Sequence, residues 1–236
     1  MNICQRIFLF ILLVPAFCFS LSKEAGFCFF IPPSDWQCAD PKTLSAYVHV
    51  GFFGKGKTAF HPSLNLAAED VGDLSLKGYL KSVKDIHEKD RNTSWRDLGK
   101  FQTQAGTAEL TEITTQTRWG DIKMLQLIMV ANKTAYVLTG AMLKEEFAEF
   151  RALIIKALRS FTLTQDLLCV VPDVDKQQKL RNAYQGLEIS QERKQESFDR
   201  FQQLVLSECK EMGMHWQILL LKEAYDRLDL SQLARK

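Results

Sequence analysis

The sequence predicts an α+β fold: a central antiparallel sheet flanked by helices as an α/β/α sandwich, followed by a C-terminal helical hairpin. Three observations predict it. Short β-branched and aromatic runs, separated by turn residues, fill most of residues 27–141. Two stretches inside and just after that region, around Leu80 and around Ile154, repeat instead at helical spacing. Beyond about Gln165 the strand-like runs thin out while charged and Gln residues rise.

The chain opens with a basic start at Arg6 and an almost continuous apolar run from Ile7 to Phe19, closed by Ser20 and Ser22. Residues 1–20 therefore read as a secretory signal peptide, with cleavage before Leu21 or after Ser22. Phe17 ahead of Cys18 departs from the lipoprotein pattern. The reading places the protein outside the cytoplasm, in a periplasm or the extracellular space. The alternative is an uncleaved segment that anchors the chain to a membrane, although the run is shorter than the roughly 20 residues a span needs. The 236 residues carry a net charge of +2, which gives no electrostatic case for nucleic acid.

From Phe27 to Ile31 the chain reads as a strand stopped by Pro32-Pro33, with Ser34-Asp35-Trp36 as a turn holding an aromatic anchor. Ala46 to Phe53 and Ser63 to Glu69 read as strands two and three, separated by Gly54, Gly56 and Pro62. Leu76, Tyr79, Leu80, Val83 and Ile86 mark a helix, with Asp73 or Ser75 as its N-cap. Trp95 to Thr103, Gly106 to Thr117, Ile122 to Ala131 and Ala135 to Ala141 read as four further strands, with turns at Gly120-Asp121 and Asn132-Lys133. Met124 to Val130 is so apolar that it reads as a central strand, buried on both faces. Lys144 to Ser160 reads as a helix whose core face is Phe147, Phe150, Leu153, Ile154, Ala157 and Leu158. Acids in its first turn and bases in its last suit the helix dipole.

In the tail, Leu180, Tyr184, Leu187, Phe198, Phe201 and Val205 share one stepping register, and Ile218, Leu221, Tyr225 and Leu228 share a second, with Gly213 between. The pattern predicts a helical hairpin over 165–236. Its first arm, Asp175 to Met212, would reach about 57 Å if continuous, or bend near Gly186. The hairpin either caps the sheet or presents the first stripe to a partner or a second copy, since such a stripe is what coiled-coil pairing uses.

Motifs narrow the chemistry. Gly51 to Thr58 matches G-x-x-x-x-G-K-[ST], the phosphate-binding loop, but that loop needs a helix starting at the Lys and here Pro62 follows closely. It reads as a glycine-lysine hairpin loop. His49, His61, His87 and His215 lack metal-ligand spacing, and no nucleophile elbow occurs. No catalytic, metal-binding or cofactor-binding residue is assigned, and no cofactor is expected. Asn92-Thr93-Ser94 and Asn132-Lys133-Thr134 have the form of glycosylation sequons. Trp36, Trp95, Trp119 and Trp216 read as core or rim anchors. Of the four cysteines beyond the signal, Cys28 and Cys38 are a candidate disulfide in an oxidising compartment, the alternative being two small buried thiols.

Phe29-Phe30-Ile31-Pro32 followed by Ser34-Asp35-Trp36 resembles the opening of the PsbP-like group, which includes DcrB-like envelope proteins and a nuclear Ran-binding protein. Ser63-Leu64-Asn65-Leu66, the helix around Leu80 and Gly106 resemble its middle, and Tyr136 to Gly140 followed by Phe147 to Phe161 its ending. The resemblance covers residues 27–163 and implies a central antiparallel sheet between helices. It also implies a binding or assembly module more than an enzyme, while fold alone transfers no function. The tail from 165 departs from the compact members. The expectation is thus a signal peptide over 1–20, a sheet domain over 27–163 and a helical extension over 165–236. The function expected is an exported, non-enzymatic binding or assembly-accessory protein of a bacterial envelope, acting on another protein or itself through the C-terminal helices. The alternatives are an exported hydrolase or thiol-dependent enzyme, or a small-molecule or lipid carrier.

Overall fold

Alternation of apolar residues builds one large sheet. A computed structural model describes residues 26–187 and 193–228, so the expected signal segment lies outside the described residues. Two compact units emerge, Asp35–Phe161 and, from the two ends of the described chain, Gly26–Ser34 with the residues from Thr162 onward.

The first unit holds a seven-stranded antiparallel sheet. Its strands are β2 (Gln37–Cys38), β3 (Val48–Phe53), β4 (Ser63–Asp70), β5 (Thr93–Thr103), β6 (Gly106–Thr117), β7 (Gly120–Ala131) and β8 (Thr134–Leu143). They lie in the order β2-β3-β4-β8-β7-β6-β5. The long meander from β5 to β8 is set by three tight turns, the first at Gln104-Ala105. Asn132 and Lys133 take φ of 49° and 63°, the positive values that a two-residue hairpin of matching twist demands. The turn between β6 and β7 falls at Arg118-Trp119, and Gly120 already begins β7. Strand β7 is interior, as its apolar run requires, yet β8 is the more buried of the two, being closed to solvent along its whole length.

Two helices cover opposite faces. Helix α1 (Leu76–Glu88) starts at Ser75, whose Oγ accepts from the Gly78 N–H at 3.2 Å, so the second of the two expected caps is the one used. It lays Tyr79 and Val83 on Ala67, Ile128, Ala135 and Val137. Helix α2 (Phe147–Arg159) follows a single 3-10 turn, Lys144–Glu146, and buries Phe150, Ile154, Ala157 and Leu158. Leu153, expected in that core face, stays largely exposed. Ile154 sits directly over Gly140 of β8, where an added Cβ would collide with its side chain. Because side chains alternate along a strand, Gly140 faces away from Val137, which puts α1 and α2 on different sides of the sheet.

The second unit joins the start of the described chain to its end. Strand β1 (Phe27–Phe29) pairs antiparallel with β9 (Thr162–Thr164), with Cys28 opposite Leu163. Phe27 to Ile31 was expected to begin the sheet domain; backbone pairing instead assigns it to a separate two-stranded sheet. Three helices follow: α3 (Val174–Gln185), α4 (Lys194–Glu208) and α5 (Gly213–Arg227). The first arm is two helices, broken at Gly186 where a bend was expected. Helix α3 stops at Gly186, a residue of low helix propensity whose N–H closes on Asn182 O at 2.9 Å. Among the described residues no helix is long and apolar enough to cross a membrane.

Candidate interaction surface

The inner faces of α3, α4 and α5 account for most of the apolar side chains in the tail. Helix α5 turns Trp216, Leu220, Ala224 and Leu228 inward at steps of four, and Trp216 Nε1 donates to Leu167 O at 2.9 Å. The expected register of Ile218, Leu221, Tyr225 and Leu228 is rotated from this row: only Leu228 is fully buried and Ile218 is exposed. The small Ala224 concealed the true face, since it carries little apolar signal in sequence.

The stripe expected to bind a partner is corrected by the same packing. Leu180, Leu187, Phe201 and Val205 are buried in this unit's own core, and Tyr184 and Phe198 are packed against it. The Tyr184 and Phe201 rings lie 5.8 Å apart, and Phe198 meets Tyr225 edge-on at 5.7 Å. A stripe already closed by its own neighbours is not free for a second chain. What remains outward is different: Met214 and Ile218, four residues apart on α5, are 41% and 39% exposed, Leu206 on α4 is 44% exposed, and Val174 at the start of α3 is exposed. Spacing of four puts Met214 and Ile218 on one face of their helix.

A charged cluster that sequence reading missed lies in the same unit. Arg181 Nη2 reaches Asp166 Oδ2 at 3.0 Å and Cys169 Sγ at 3.4 Å, while the Cys169 thiol donates to Asp166 Oδ2 at 3.1 Å. Partial burial works against the Asp166 carboxylate, but hydrogen bonds from Cys169, the Leu168 N–H and Arg181 hold it below the usual range. On α5, burial lifts Glu223 above the ordinary carboxylate value, with the Asp166 charge adding to it. Arg227 lies over the Tyr184 ring at 4.7 Å and donates to Tyr184 O. Residues 166, 169, 181, 223 and 227 are too far apart in sequence for any spacing rule to gather them. Lys176–Glu211 at 2.8 Å and Lys179–Glu208 at 2.7 Å tie α3 to the segment between α4 and α5 and to the end of α4.

Of the two readings of Cys28 and Cys38, a disulfide or separate thiols, the structure shows separate thiols. Both are free thiols, Cys28 on β1 and Cys38 on β2, each committed to a different sheet. Burial pushes the Cys28 thiol up to about 12. Cys38 is exposed.

In the sheet unit the glycine-lysine loop leads from β3 into β4 and not into a helix. Lys57 Nζ is paired with Glu149 Oε2 at 2.6 Å, and its N–H donates to Glu146 Oε1 at 2.8 Å. The lysine that a nucleotide would need is thus engaged by the acidic start of α2. The histidines sit in four separate settings: His49 on Ala68 O, His61 by the Gly56 N–H, His87 stacked on Trp95, and His215 accepting from the Phe30 N–H. Among the described residues no group of three or more His, Cys, Asp or Glu is arranged to hold a metal ion. Asn92 and Asn132 both lie in exposed turns.

Taken together these are an antiparallel α/β/α sheet unit and a helical unit closed by a terminal strand, a fold of the class the sequence resembles. No family profile matches the chain, and no curated protein matches it. Solved structures similar to it include cyanobacterial PsbP (CyanoP) from Synechocystis, at 14% identity over 62% of this chain and 91% of that one, with a TM-score of 0.43. LpqN, involved in cell envelope biogenesis of Mycobacterium tuberculosis, aligns at 11% identity over 58% and 83%, with a TM-score of 0.44. The Ran-binding protein Mog1p of Saccharomyces cerevisiae aligns at 16% identity over 61% and 93%, with a TM-score of 0.40. At such identities and TM-scores the likeness carries nothing about what this chain binds or does.

Proposed function

We propose that this chain is an exported, non-enzymatic binding or assembly-accessory protein of a bacterial envelope, and that it engages another protein through the outer face of its C-terminal helices. The observation that carries the reading is the pair Met214 and Ile218, left outward on α5 although the core of the same unit is already closed by Trp216, Leu220 and Ala224. Large apolar side chains grouped on one helix face are the anchors that helix-to-protein contacts use. The N-terminal sequence supports export: a basic start, a short apolar run and small residues before Leu21.

The thiol-dependent alternative rests on one observation, the exposed Cys169 between Arg181 and Asp166. It predicts that alkylating Cys169 blocks an activity; partner binding that survives alkylation speaks against it. The carrier alternative would need an apolar cavity, and the one under α1, lined by Tyr47, Ala67, Tyr79, Ala135 and Val137, measures about 10 Å³, space for one water molecule.

The deciding experiment places a photo-crosslinker at Ile218 of the full chain in its own envelope and compares the chain carrying Met214→Glu and Ile218→Glu. Crosslinks to a defined protein or a second copy, lost in the double variant with unchanged circular dichroism, are expected. Association of undiminished strength in the double variant removes this face from consideration. The mature N-terminus from the same sample should begin at Leu21 or Lys23; an intact Met1 in the cytoplasm overturns export.

A further inference from the structure

The seven-stranded sheet ends in two unequal edges. At one end stands β2, 2 residues long; at the other stands β5, 11 residues long, with β6 on one side and no described strand on the other. An edge strand carries a row of main-chain donors and acceptors ready to pair with another chain, and proteins guard such rows with bulges and lysines. The first half of β5 is guarded in this way. Its register slips between Asp97 and Gly99, Gly99 takes a φ of 81°, and Leu98 is exposed to solvent. Beyond the bulge, Lys100 to Thr103 pairs with β6 in unbroken register.

This regular stretch lines a groove. Lys100, Phe101, Gln102, Thr103 and Gln104, together with Arg159 from the last turn of α2, border an open space of about 460 Å³. Neighbours along a strand point to opposite faces, so consecutive residues border one space only where that space follows the strand's edge. The groove is held in shape. The Gln104 N–H donates to Arg159 O at 3.1 Å and the Ala105 N–H to Phe161 O at 2.9 Å, which ties the hairpin end of β5 to the end of α2. The Arg159 guanidinium stands 5.8 Å from the centre of the Phe101 ring. Both charged groups of the lining are cations, and both are exposed. Glu109 opposes Lys100 in register, but among the described residues no acid is ion-paired with Lys100 or Arg159.

We propose that the Lys100–Thr103 edge of β5 takes up an extended acidic peptide segment of another protein as an eighth strand. Main-chain hydrogen bonds supply the pairing, and Lys100 and Arg159 select carboxylates on the segment's side chains. Four residues at about 3.4 Å each give a stretch of roughly 14 Å, the length of a short strand. A second copy of this chain fits less well, since it would set one cationic rim against another. The surface lies wholly in the sheet unit and is independent of the outer face of α5.

The test titrates the full chain into a fluorophore-labelled probe peptide, acetyl-Val-Glu-Glu-Val-Glu-Glu-amide, at low salt, reading polarisation and the backbone amide signals of Lys100 to Thr103 by nuclear magnetic resonance. Saturable binding with shifts at those amides is expected, and no binding of the peptide that carries Lys in place of Glu. Methylating the peptide's backbone nitrogens at one set of alternate residues should abolish binding, and at the other set leave it, because an added strand turns only alternate N–H groups toward its neighbour. Lys100→Glu with Arg159→Gln should raise Kd about three- to tenfold with unchanged circular dichroism. If that variant unfolds, Lys100→Gln takes its place. Met214→Glu with Ile218→Glu should leave Kd unchanged. The proposal is overturned by absence of saturable binding, by equal binding of the two methylated peptides, or by an unaltered Kd in the charge variant. A dimer of the parent chain in sedimentation that Lys100→Glu breaks would assign the edge to a second copy, and overturns it likewise.

Discussion

His87 shows how a single side chain ties stability to acidity. It stacks on Trp95 with ring centroids 5.6 Å apart, and burial pulls its pKa below the ordinary value although the Asp90 charge opposes the shift. A histidine whose folded pKa is depressed favours the folded chain while neutral. Its contribution is complete above the unfolded value of about 6.5 and is lost as pH falls through that value toward the folded one. His87→Phe should therefore flatten the decline of Tm between about pH 7 and pH 5, measured against the parent chain. A parallel decline in both proteins rejects the assignment. Histidine spacing told against a metal site, but only the stacking on Trp95 reveals this group as a titrating part of the α1 contact.

Among the elements, the helices of the tail were harder to read than the strands. The strands from 93 onward and the turn at Asn132-Lys133 follow from alternation and turn chemistry, with boundaries close to those expected. Gly106–Thr117 is matched residue for residue. The face of α4 was legible, since Phe201 and Val205 are buried and Phe198 packs beside them; the face of α5 was misjudged because Ala224 contributes to the core without an apolar signature, and a stripe at helical spacing looks the same whether it faces its own chain or another. The consequence is measurable. Phe201→Ala, at a position 2% exposed and in ring contact with Tyr184, should cost about 3–5 kcal/mol in urea unfolding of the helical unit. Leu206→Ala, on the exposed side of α4, should cost less than about 1 kcal/mol. Equal losses would mean that α4 is rotated from the arrangement described.

For the molecule as a whole, the sequence shows where composition changes, near Gln165, but not that the residues before the sheet unit belong with those after it. That pairing is long-range: Phe27 meets Thr164 and Phe29 meets Thr162. Local pattern carries no information on it. Three of the four tryptophans, Trp36, Trp95 and Trp119, lie in the sheet unit, and Trp216 lies in the helical one, so fluorescence can follow the units separately once Trp216 is the tryptophan retained. Phe29→Asp, which buries a charge in the core that contains Trp216, should lower the Trp216 transition by more than about 10 °C and leave the strand signal in circular dichroism nearly in place. Simultaneous loss of both signals would show that the two units unfold as one.

Pairing of β1 with β9 also fixes an order of events as the chain is made. Asp35–Phe161 is contiguous and can fold as soon as it has emerged, whereas Phe27–Phe29 must wait for Thr162–Thr164 and for the helices beyond. Until then an apolar strand with open backbone groups travels ahead of a finished sheet, and the waiting time grows with every residue of the sheet unit synthesised in between.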